Sequence, residues 1–259
     1  MQAYSSSGDY IEILDKFDAL PGIQALKKAA IERCGIQAGM SILDDGCGAG
    51  LETVRLARSV GSTAKVTGLN ASEAFIAEAR RRADGLGLPI EYLEGDAHRL
   101  PFRDDSFDLS RPERLFLYLR DPVKALAELV RVTKSRSVVY LIELDFDTVT
   151  INVDDRDLVR KILHFDCDHD TRNGWIGRGL LSLLKASGLT DVEVQTGVVV
   201  FEPHSFSPYF LEIGRSAFQN HVISANERQR WQGEINRLLD RDELFCTITY
   251  FLVIGRLEA

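Results

Sequence analysis

Short apolar runs alternate with amphipathic segments through the first 145 residues of the chain. The spacing predicts strands at 40–45, 65–69, 90–93, 107–110 and 137–144, with helices at 51–60, 72–85 and 122–132. In the segment 51–60, apolar residues recur every three positions, which is typical of one buried helix face. Strands that alternate with helices in this way indicate a parallel sheet covered by helices on both faces.

The second half of the chain has a different pattern, in which helices predominate. Two helices precede the first strand, at 9–20 and 22–34. Further helices are predicted at 154–170, 176–187, 205–221 and 226–240, and further strands at 191–201 and 245–255. We therefore predict an α/β fold, with a doubly wound sheet of seven strands, mostly parallel and with the last strand antiparallel. One domain, 1–259, is expected, with a core at about 36–145, 189–202 and 243–259 and a helical cap from about 1–35, 146–188 and 203–242.

Composition limits the possible partners. The 259 residues are 45% hydrophobic and 27% charged, which is ordinary for a globular protein, and the net charge is −8. That charge disfavours non-specific nucleic-acid binding, which depends on Lys and Arg contacts to phosphate. No apolar run approaches the roughly 20 residues that span a bilayer, and the polar N-terminus lacks a signal core. We expect a soluble cytoplasmic protein with no nucleic-acid or membrane partner.

A glycine-rich turn follows the first predicted strand. Gly46, Gly48 and Gly50 alternate between that strand and the helix 51–60. Glycine allows positive φ angles and the close approach of a ligand, and the first turn of a helix offers free N–H groups to a polar ligand. The spacing differs from the G-x-G-x-x-G motif of dinucleotide-binding folds. A purely structural turn is the alternative interpretation.

Polar residues also follow the next three strands, at the edge of the sheet where doubly wound folds bind nucleotides. Asn70 follows the second strand and offers an acceptor for a ribose hydroxyl, although a neutral amide binds more weakly than a carboxylate. Asp96 follows the third strand and suits an exocyclic adenine amine, and Ala97 leaves room for the ring. Residues 110–114 follow the fourth strand. An ordinary turn residue is the alternative interpretation for Asn70 and for Asp96.

Several motifs in order resemble the class I S-adenosylmethionine (SAM)-dependent methyltransferases, in the small-molecule branch related to the ubiquinone and menaquinone C-methyltransferases. They are Asp44 with the three glycines, Leu100-Pro101-Phe102, Ser106-Phe107-Asp108, Asp121-Pro122 and the run 128–132. The resemblance covers about residues 8–200. It implies a Rossmann-like fold, SAM as cofactor, S-adenosylhomocysteine (SAH) as product, and a small-molecule acceptor. The cofactor-binding residues that it implies are Asp44, Gly46, Cys47, Gly48, Gly50, Asn70, Ala71, Ser72, Asp96, Ala97, His98 and Arg111, with Asp44 fixing the glycine turn.

The chain departs from that family pattern at three places. Asn70 stands where an acidic ribose ligand is usual, which affects cofactor affinity. Residues 134–137 replace a Pro-Gly-Gly turn, and Tyr118 replaces a histidine that often lies near the acceptor. These departures leave two alternatives open. One is a SAM-binding enzyme that catalyses a cyclisation or rearrangement, with the sulfonium stabilising charge. The other is a non-catalytic SAM- or SAH-binding subunit.

Catalytic groups are harder to identify, because the methyl group of a sulfonium is already activated. Alignment of the acceptor supplies much of the catalysis, and a base is needed only if the acceptor must lose a proton. The candidate catalytic groups are Tyr118, Arg114, Asp145 and His169, with His164 as an alternative base and Asp147 beside Asp145. The candidate acceptor contacts are Tyr10, Glu113, Trp175 and Arg178. Ordinary packing or ion pairing remains the alternative for each.

Cysteine and histidine usage favours no metal site. The four cysteines are scattered without a C-x-x-C pair, which indicates free thiols. The acidic run 164–170 contains two histidines and a cysteine, but it lacks a recognised ligand spacing. Aromatic residues of the cap favour a partly apolar acceptor: Phe165, Trp175, Phe206, Tyr209 and Phe210. A homodimer is possible.

Overall fold

The computed structural model describes residues 7–258, with side chains from Ile11 onward. Seven strands form one sheet in the order β3-β2-β1-β4-β5-β7-β6. The strands are β1 (Ser41–Asp45), β2 (Lys65–Asn70), β3 (Ile90–Glu94), β4 (Phe107–Pro112), β5 (Thr133–Ile151), β6 (Thr190–Val200) and β7 (Cys246–Arg256). β7 runs antiparallel to both of its neighbours, and the other pairs are parallel. The predicted fold class is confirmed.

Helices cover both faces of this sheet and build the cap. They are α1 (Ser7–Asp18), α2 (Pro21–Arg33), α3 (Leu51–Val60), α4 (Glu73–Ala83), α5 (Pro122–Val132), α6 (Arg156–Phe165), α7 (Ile176–Ala186), α8 (Pro203–Gln219) and α9 (Ala225–Asp240). A short 3-10 helix, Phe116–Tyr118, follows β4. None of the helices in the described range is long and apolar enough to cross a membrane.

Local sequence explains where the helices begin. At α5, Asp121 accepts a hydrogen bond from the Lys124 N–H at 3.0 Å, and proline occupies the first turn. At α9, Ser224 and Glu227 form a reciprocal capping box. The apolar faces of α2 and α3 join one buried cluster with α6, α8 and α9, while α5 and α7 belong to a second cluster. The cap is therefore packed into the same core as the sheet.

Two boundaries that bear on the site differ from the sequence-based prediction. β5 continues to Ile151, so residues 146–151 belong to the sheet and not to the cap. Pairing with β7 maintains the extension: Thr150 and Ile151 lie opposite Thr247 and Cys246, beyond an irregularity after Asp145. The predicted helix 154–170 ends at Phe165 and continues as a π-helical turn, Asp166–Asp170. Both changes place polar side chains close to the carboxyl edge of the sheet.

Candidate functional site

A cavity of about 520 Å³ lies at the carboxyl ends of the central strands. We call it the first cavity. It brings together most of the residues that the sequence predicted for cofactor binding, which come from four separate segments. The lining includes Gly46, Cys47, Gly48, Asn70, Ala71, Ser72, Asp96, Ala97, His98 and Arg111, and also Glu113, which was predicted to contact the acceptor.

The glycine turn shapes one wall of the first cavity. The N–H groups of Gly46 and Cys47 both donate to the Leu69 carbonyl oxygen, at 2.7 and 3.0 Å, which ties the turn to β2. Gly48 has a φ of +53°, and a Cβ atom there would meet no atom of the described residues within 4 Å, so its backbone is accessible from the cavity. Gly50 adopts a φ of +81° at the start of α3 and does not line the cavity. Burial raises the pKa of the Cys47 thiol well above its usual value, so this thiol stays protonated.

Two adjacent carboxyl groups at the end of β1 have different surroundings. Asp44 is fully buried and accepts hydrogen bonds from Thr53 Oγ1 at 2.6 Å and Arg111 Nη1 at 2.7 Å. It thus anchors the first turn of α3 and does not line the first cavity. Asp45 does line the cavity, and sequence reasoning missed it. The signal that could have identified Asp45 is an acidic residue in a buried strand, where acids are rare unless they are paired.

Asp45 is fully buried, and neither of its carboxyl oxygens has a hydrogen-bond partner in the described chain. Burial, followed by the charges of Asp44 and Asp96, raises the pKa of Asp45 to about 8. A carboxyl group with these surroundings is protonated near neutral pH. The first cavity therefore presents an unpaired acid that can donate or accept a hydrogen bond.

The raised pKa of Asp45 predicts that the ligand-free protein loses stability as the pH rises. Between about pH 4 and about pH 8 the folded protein keeps a proton that the unfolded chain has released, so each pH unit costs about 1.4 kcal/mol at this group. Substitution of Asp45 by Asn removes that proton exchange. We expect urea unfolding of Asp45→Asn to show a smaller fall in the free energy of unfolding between about pH 6 and pH 8, by on the order of 2 kcal/mol.

Asp157→Asn is the matched control for this pH prediction, because the Asp157 side chain is 87% exposed. Its pH dependence should equal that of the wild type. The fully buried Glu143 also has its pKa raised to about 8 by burial, so part of the slope should remain in Asp45→Asn. An unchanged slope in Asp45→Asn would show that Asp45 is ionised in the folded protein.

Asn70 and Asp96 are already engaged by their own turns. The Asn70 Oδ1 atom accepts the Ser72 N–H at 2.9 Å, which leaves its amide N–H groups for the cavity. Asp96 Oδ1 accepts from the His98 backbone N–H at 2.9 Å and lies 2.6 Å from His98 Nδ1. These hydrogen bonds to His98 lower the pKa of Asp96. Asp96 is thus an ionised hydrogen-bond acceptor at the edge of the first cavity, which suits the binding of an amine.

A buried ion network forms the opposite wall, where α1 and α2 meet the sheet. Lys27 is 4% exposed, and its Nζ atom lies 2.5 Å from Asp18, 3.1 Å from Glu52 and 2.8 Å from Glu113. Arg111 lies 2.6 Å from the same Glu113 oxygen. These cations lower the pKa of Glu113. Glu113 is therefore committed to the protein's own cations, although it lines the first cavity.

The charge of the whole lining suits a cation. Six carboxyl groups line the first cavity, against four Lys and Arg side chains: Asp15, Asp18, Asp45, Glu52, Asp96 and Glu113 against Lys27, Arg111, Arg114 and Arg120. Even with Asp45 protonated, the acids are in excess. A low-dielectric cleft with such an excess favours a ligand that carries net positive charge.

The loop after β4 separates the first cavity from a second one. Glu143 on β5 accepts the Leu115 and Phe116 N–H groups at 2.8 and 2.6 Å, which fixes the loop. Arg114 adopts a φ of +48°, and its guanidinium lies 5.2 Å from the centre of the Phe17 ring. Arg114 and Tyr118, both predicted as catalytic candidates, line both cavities together with Leu14.

The second cavity has about the same size, 530 Å³, and aliphatic and aromatic residues make up most of its lining. Its aliphatic and aromatic side chains come from α1, the 3-10 helix after β4, β5, α8 and β7, and from Phe201 directly after β6. His169, another catalytic candidate, lines it beside Asp166 and Asp170 of the π-helical turn, and Tyr209 approaches from α8. Sequence reasoning listed Tyr209 among the cap aromatics and placed Asp166 in an acidic run, but it did not connect the two.

Several predicted site residues lie elsewhere. The structure pairs the buried Asp145 with Arg178, whose guanidinium also lies 3.0 Å from Asp147, and stacks Arg178 over Trp175 at 5.4 Å. None of these residues lines either cavity, because the extension of β5 turns Asp145 toward α7. Asp145 is thus committed to Arg178, and neither Trp175 nor Arg178 lines the second cavity. The Tyr10 side chain lies outside the described residues.

The candidate alternative base His164 lies 3.8 Å from Asp147 and is 63% exposed, outside both cavities. In the described range, no group of three or more His, Cys, Asp or Glu side chains is arranged to hold a metal ion.

Comparison with known proteins supports the interpretation of the first cavity. Residues 43–141 match the model of a family described as a methyltransferase domain. A demethylmenaquinone methyltransferase of Staphylococcus aureus is 31% identical over 145 residues, covering 54% of this chain and 60% of that enzyme. An uncharacterised 37.1 kDa protein in transposon TN4556 of Streptomyces fradiae is 29% identical over 255 residues, covering 97% of this chain and 72% of that protein.

Solved structures show the same fold. The YcgJ protein of Bacillus subtilis matches with a TM-score of 0.64 at 19% identity, covering 91% of this chain and 99% of that one. The [4+2]-cyclase SpnF matches with a TM-score of 0.58 at 22% identity, covering 92% and 81%. At these identities the two structures bear on the fold alone. The sequence match covers the glycine turn and nearly all of the first four strands, which build one side of the first cavity, and leaves out α1 and α2, which build the opposite wall.

Proposed function

Because this chain belongs to the class I SAM-dependent methyltransferases related to the quinone methyltransferases, we propose that it transfers the methyl group of SAM to a small, mostly apolar acceptor. The observation that carries this proposal is the junction of two cavities at Leu14, Arg114 and Tyr118. One cavity is built from the cofactor motifs, and the other is lined mainly by apolar and aromatic side chains. A transferase needs two such sites that meet at one point.

The residues of the first cavity fit SAM. The glycine turn offers open backbone beside Gly48, Asp96 is an ionised acceptor for an amine, and Asp45 is a buried group without a partner. SAM carries a net positive charge at neutral pH, which suits the excess of acids. When bound, SAM supplies a methyl group activated by the sulfonium.

The protein's own groups then position the acceptor and exclude water. Arg114 is held by the hydrogen bond from its N–H to the Ile142 carbonyl oxygen at 2.9 Å and by its contact with Phe17. Such fixed side chains can align an acceptor with the methyl group, and alignment supplies most of the rate enhancement in a displacement of this kind. The apolar wall of the second cavity keeps water from competing for the methyl group.

The test is sequential. Calorimetric titration with SAM and SAH measures cofactor binding, and incubation of the SAM complex with a panel of apolar acceptors measures SAH formation. Release of SAH in step with a methylated product is the expected result. Product without SAH would instead support a cyclisation or rearrangement, and SAM binding without turnover of any acceptor would support a non-catalytic subunit.

Asn70→Asp provides a separate test of the cofactor site. We expect the new carboxylate to accept from the ribose hydroxyls in a charge-assisted hydrogen bond, which tightens SAM binding by about fivefold to tenfold. Calorimetry measures the change, and Asp84→Asn, on a turn at the far end of α4, is the control. Weaker or unchanged SAM affinity in Asn70→Asp would contradict the placement of Asn70 at the ribose.

A further inference from the structure

The second cavity contains a carboxyl–phenol pair. The Asp166 carboxyl group lies in the π-helical turn, is 4% exposed and accepts a short hydrogen bond from the Tyr209 hydroxyl on α8. Both residues line the cavity. The Tyr209 ring is positioned by Phe146, at 6.3 Å between ring centres, and by Phe210 at 5.1 Å. Burial of a carboxyl group in such a cavity costs folding free energy. A group of this kind is therefore a candidate for a functional role.

The charges around the pair favour a neutral acceptor. Glu212 also lines the cavity, but Arg215 binds both of its oxygens. The arginines 114 and 172 offset the acids of the π-helical turn. The titratable and charged side chains that line the cavity are Arg114, Tyr118, Asp166, His169, Asp170, Arg172, Tyr209 and Glu212. With Glu212 bound by Arg215, Asp166 and Asp170 are matched by Arg114 and Arg172, so the cavity offers no net charge that would select an ionic acceptor.

From this geometry we propose that the acceptor carries a hydroxyl group, which Tyr209 binds and whose proton passes to Asp166. Tyr209 touches the acceptor, and Asp166 acts through Tyr209. The inference rests on the proposed methyl transfer and specifies its substrate class as a neutral, mostly apolar alcohol, enol or phenol.

The proton balance of this step is complete. The acceptor oxygen forms a bond to the methyl carbon while the bond from that carbon to the sulfonium breaks and its electron pair stays on sulfur. The acceptor's proton moves to the Tyr209 oxygen, and the Tyr209 proton moves to Asp166. Burial, opposed by the Tyr209 hydrogen bond, raises the pKa of Asp166 to about 7, so this carboxyl group can both take up and release a proton near neutral pH.

Binding of a probe tests the inference without knowledge of the natural acceptor. We would titrate the SAH complex with 4-nitrophenol and with its methyl ether, 4-nitroanisole, which differ only in the hydroxyl group. The wild type should bind the phenol at least about tenfold more tightly than the ether. The visible absorption of the phenolate, measured near neutral pH as the excess over that of the free phenol in the same buffer, reports transfer of the proton to the protein.

Two variants separate the roles of the pair. Tyr209→Phe keeps the ring but should abolish the preference for the phenol. Asp166→Asn can still accept from Tyr209, so it should retain most of the preference but lose the phenolate absorption. Glu212→Gln, on the same helix and cavity wall, is the matched control and should behave as the wild type. SAH affinity should stay unchanged in all three variants, because none of these residues lines the first cavity.

The outcomes distinguish this inference from the proposed function. Equal affinity for phenol and ether, no binding of either probe at millimolar concentration, or an unaltered preference in Tyr209→Phe would overturn the inference. A preference that falls equally in Glu212→Gln would overturn it as well, since the effect would then be general to the cavity. Failure of methyl transfer is recorded separately, as the absence of SAH when the SAM complex meets the acceptor panel.

Discussion

Replacement of Lys27 by Met should lower the free energy of unfolding by about 3–5 kcal/mol, the cost of breaking a buried ion pair from one side. Lys27 is held between Asp18, Glu52 and Glu113, at distances of 3.1 Å or less. Without the ammonium group, these carboxylates repel one another in a largely buried site. Methionine fills a similar volume, so the loss of stability measures the effect of the charge and not of the packing.

Urea unfolding at neutral pH measures the effect of Lys27→Met. The control is Lys28→Met at the next position of the same helix, where the side chain is 78% exposed and only a small change is expected. A second variant tests the mechanism: adding Glu113→Gln to Lys27→Met should restore part of the lost stability, because it removes one of the negative charges that Lys27 offset. Unfolding free energies of Lys27→Met within 1 kcal/mol of the wild type, roughly the scatter expected for surface changes, would show that the three acids do not depend on Lys27.

Replacement of Gly50 by Ala should be nearly as damaging and should also weaken SAM binding. Gly50 has a φ of +81°, a conformation that costs a residue with a Cβ atom about 1–2 kcal/mol. The added Cβ atom would overlap the Tyr92 hydroxyl and lie 2.9 Å from the Ala79 Cβ atom. Overpacking of this kind costs a further 1–3 kcal/mol or so. We expect a total loss of about 3 kcal/mol and at least a tenfold weaker SAM affinity, since the glycine turn must shift.

Gly61→Ala is the matched control for Gly50→Ala. Gly61 also has a positive φ, +74°, but an added Cβ atom would meet no atom within 4 Å, and the residue lies at the far end of α3. Only the backbone cost should appear there, with SAM affinity unchanged. If Gly50→Ala were no worse than Gly61→Ala, the tight packing of the glycine turn against β3 and α4 would not contribute to cofactor binding.

Sequence periodicity predicted the order and type of the elements because local patterning decides them. The motif residues of the first cavity were predictable as well, since each directly follows a strand and parallel strands bring their carboxyl ends to one edge. Nothing in the sequence indicated that Lys27 and Glu52 would be buried. They lie on helices where a charged residue usually faces water, and only the packing of α2 and α3 on the same face of the sheet buries them.

The acceptor side was harder to predict for a related reason. Asp166 and Tyr209 are 43 residues apart and meet only because the helix 156–165 changes to a π-helical turn against α8. We predicted that Arg178 and Trp175 contact the acceptor, because their segment resembles one that is typical of the family. The longer β5 supplies Asp145 and Asp147 as competing partners, and a guanidinium beside two carboxylates is committed to them.

The length of β5 has a consequence for how an acceptor enters. The strand holds Glu143, which fixes the loop between the cavities, and it continues through Phe146 and Val149 along the second cavity. Its ladder with β7 is paired up to Asp145 and again from Thr150, so β5 is anchored to β7 on both sides of the segment that lines the second cavity. We expect opening at α1 instead, which supplies Leu14 to both cavities and is attached through ion pairs such as Asp15–Arg82, at 2.8 Å. Salt should therefore quicken acceptor exchange, because ion pairs loosen in salt and a strand ladder does not.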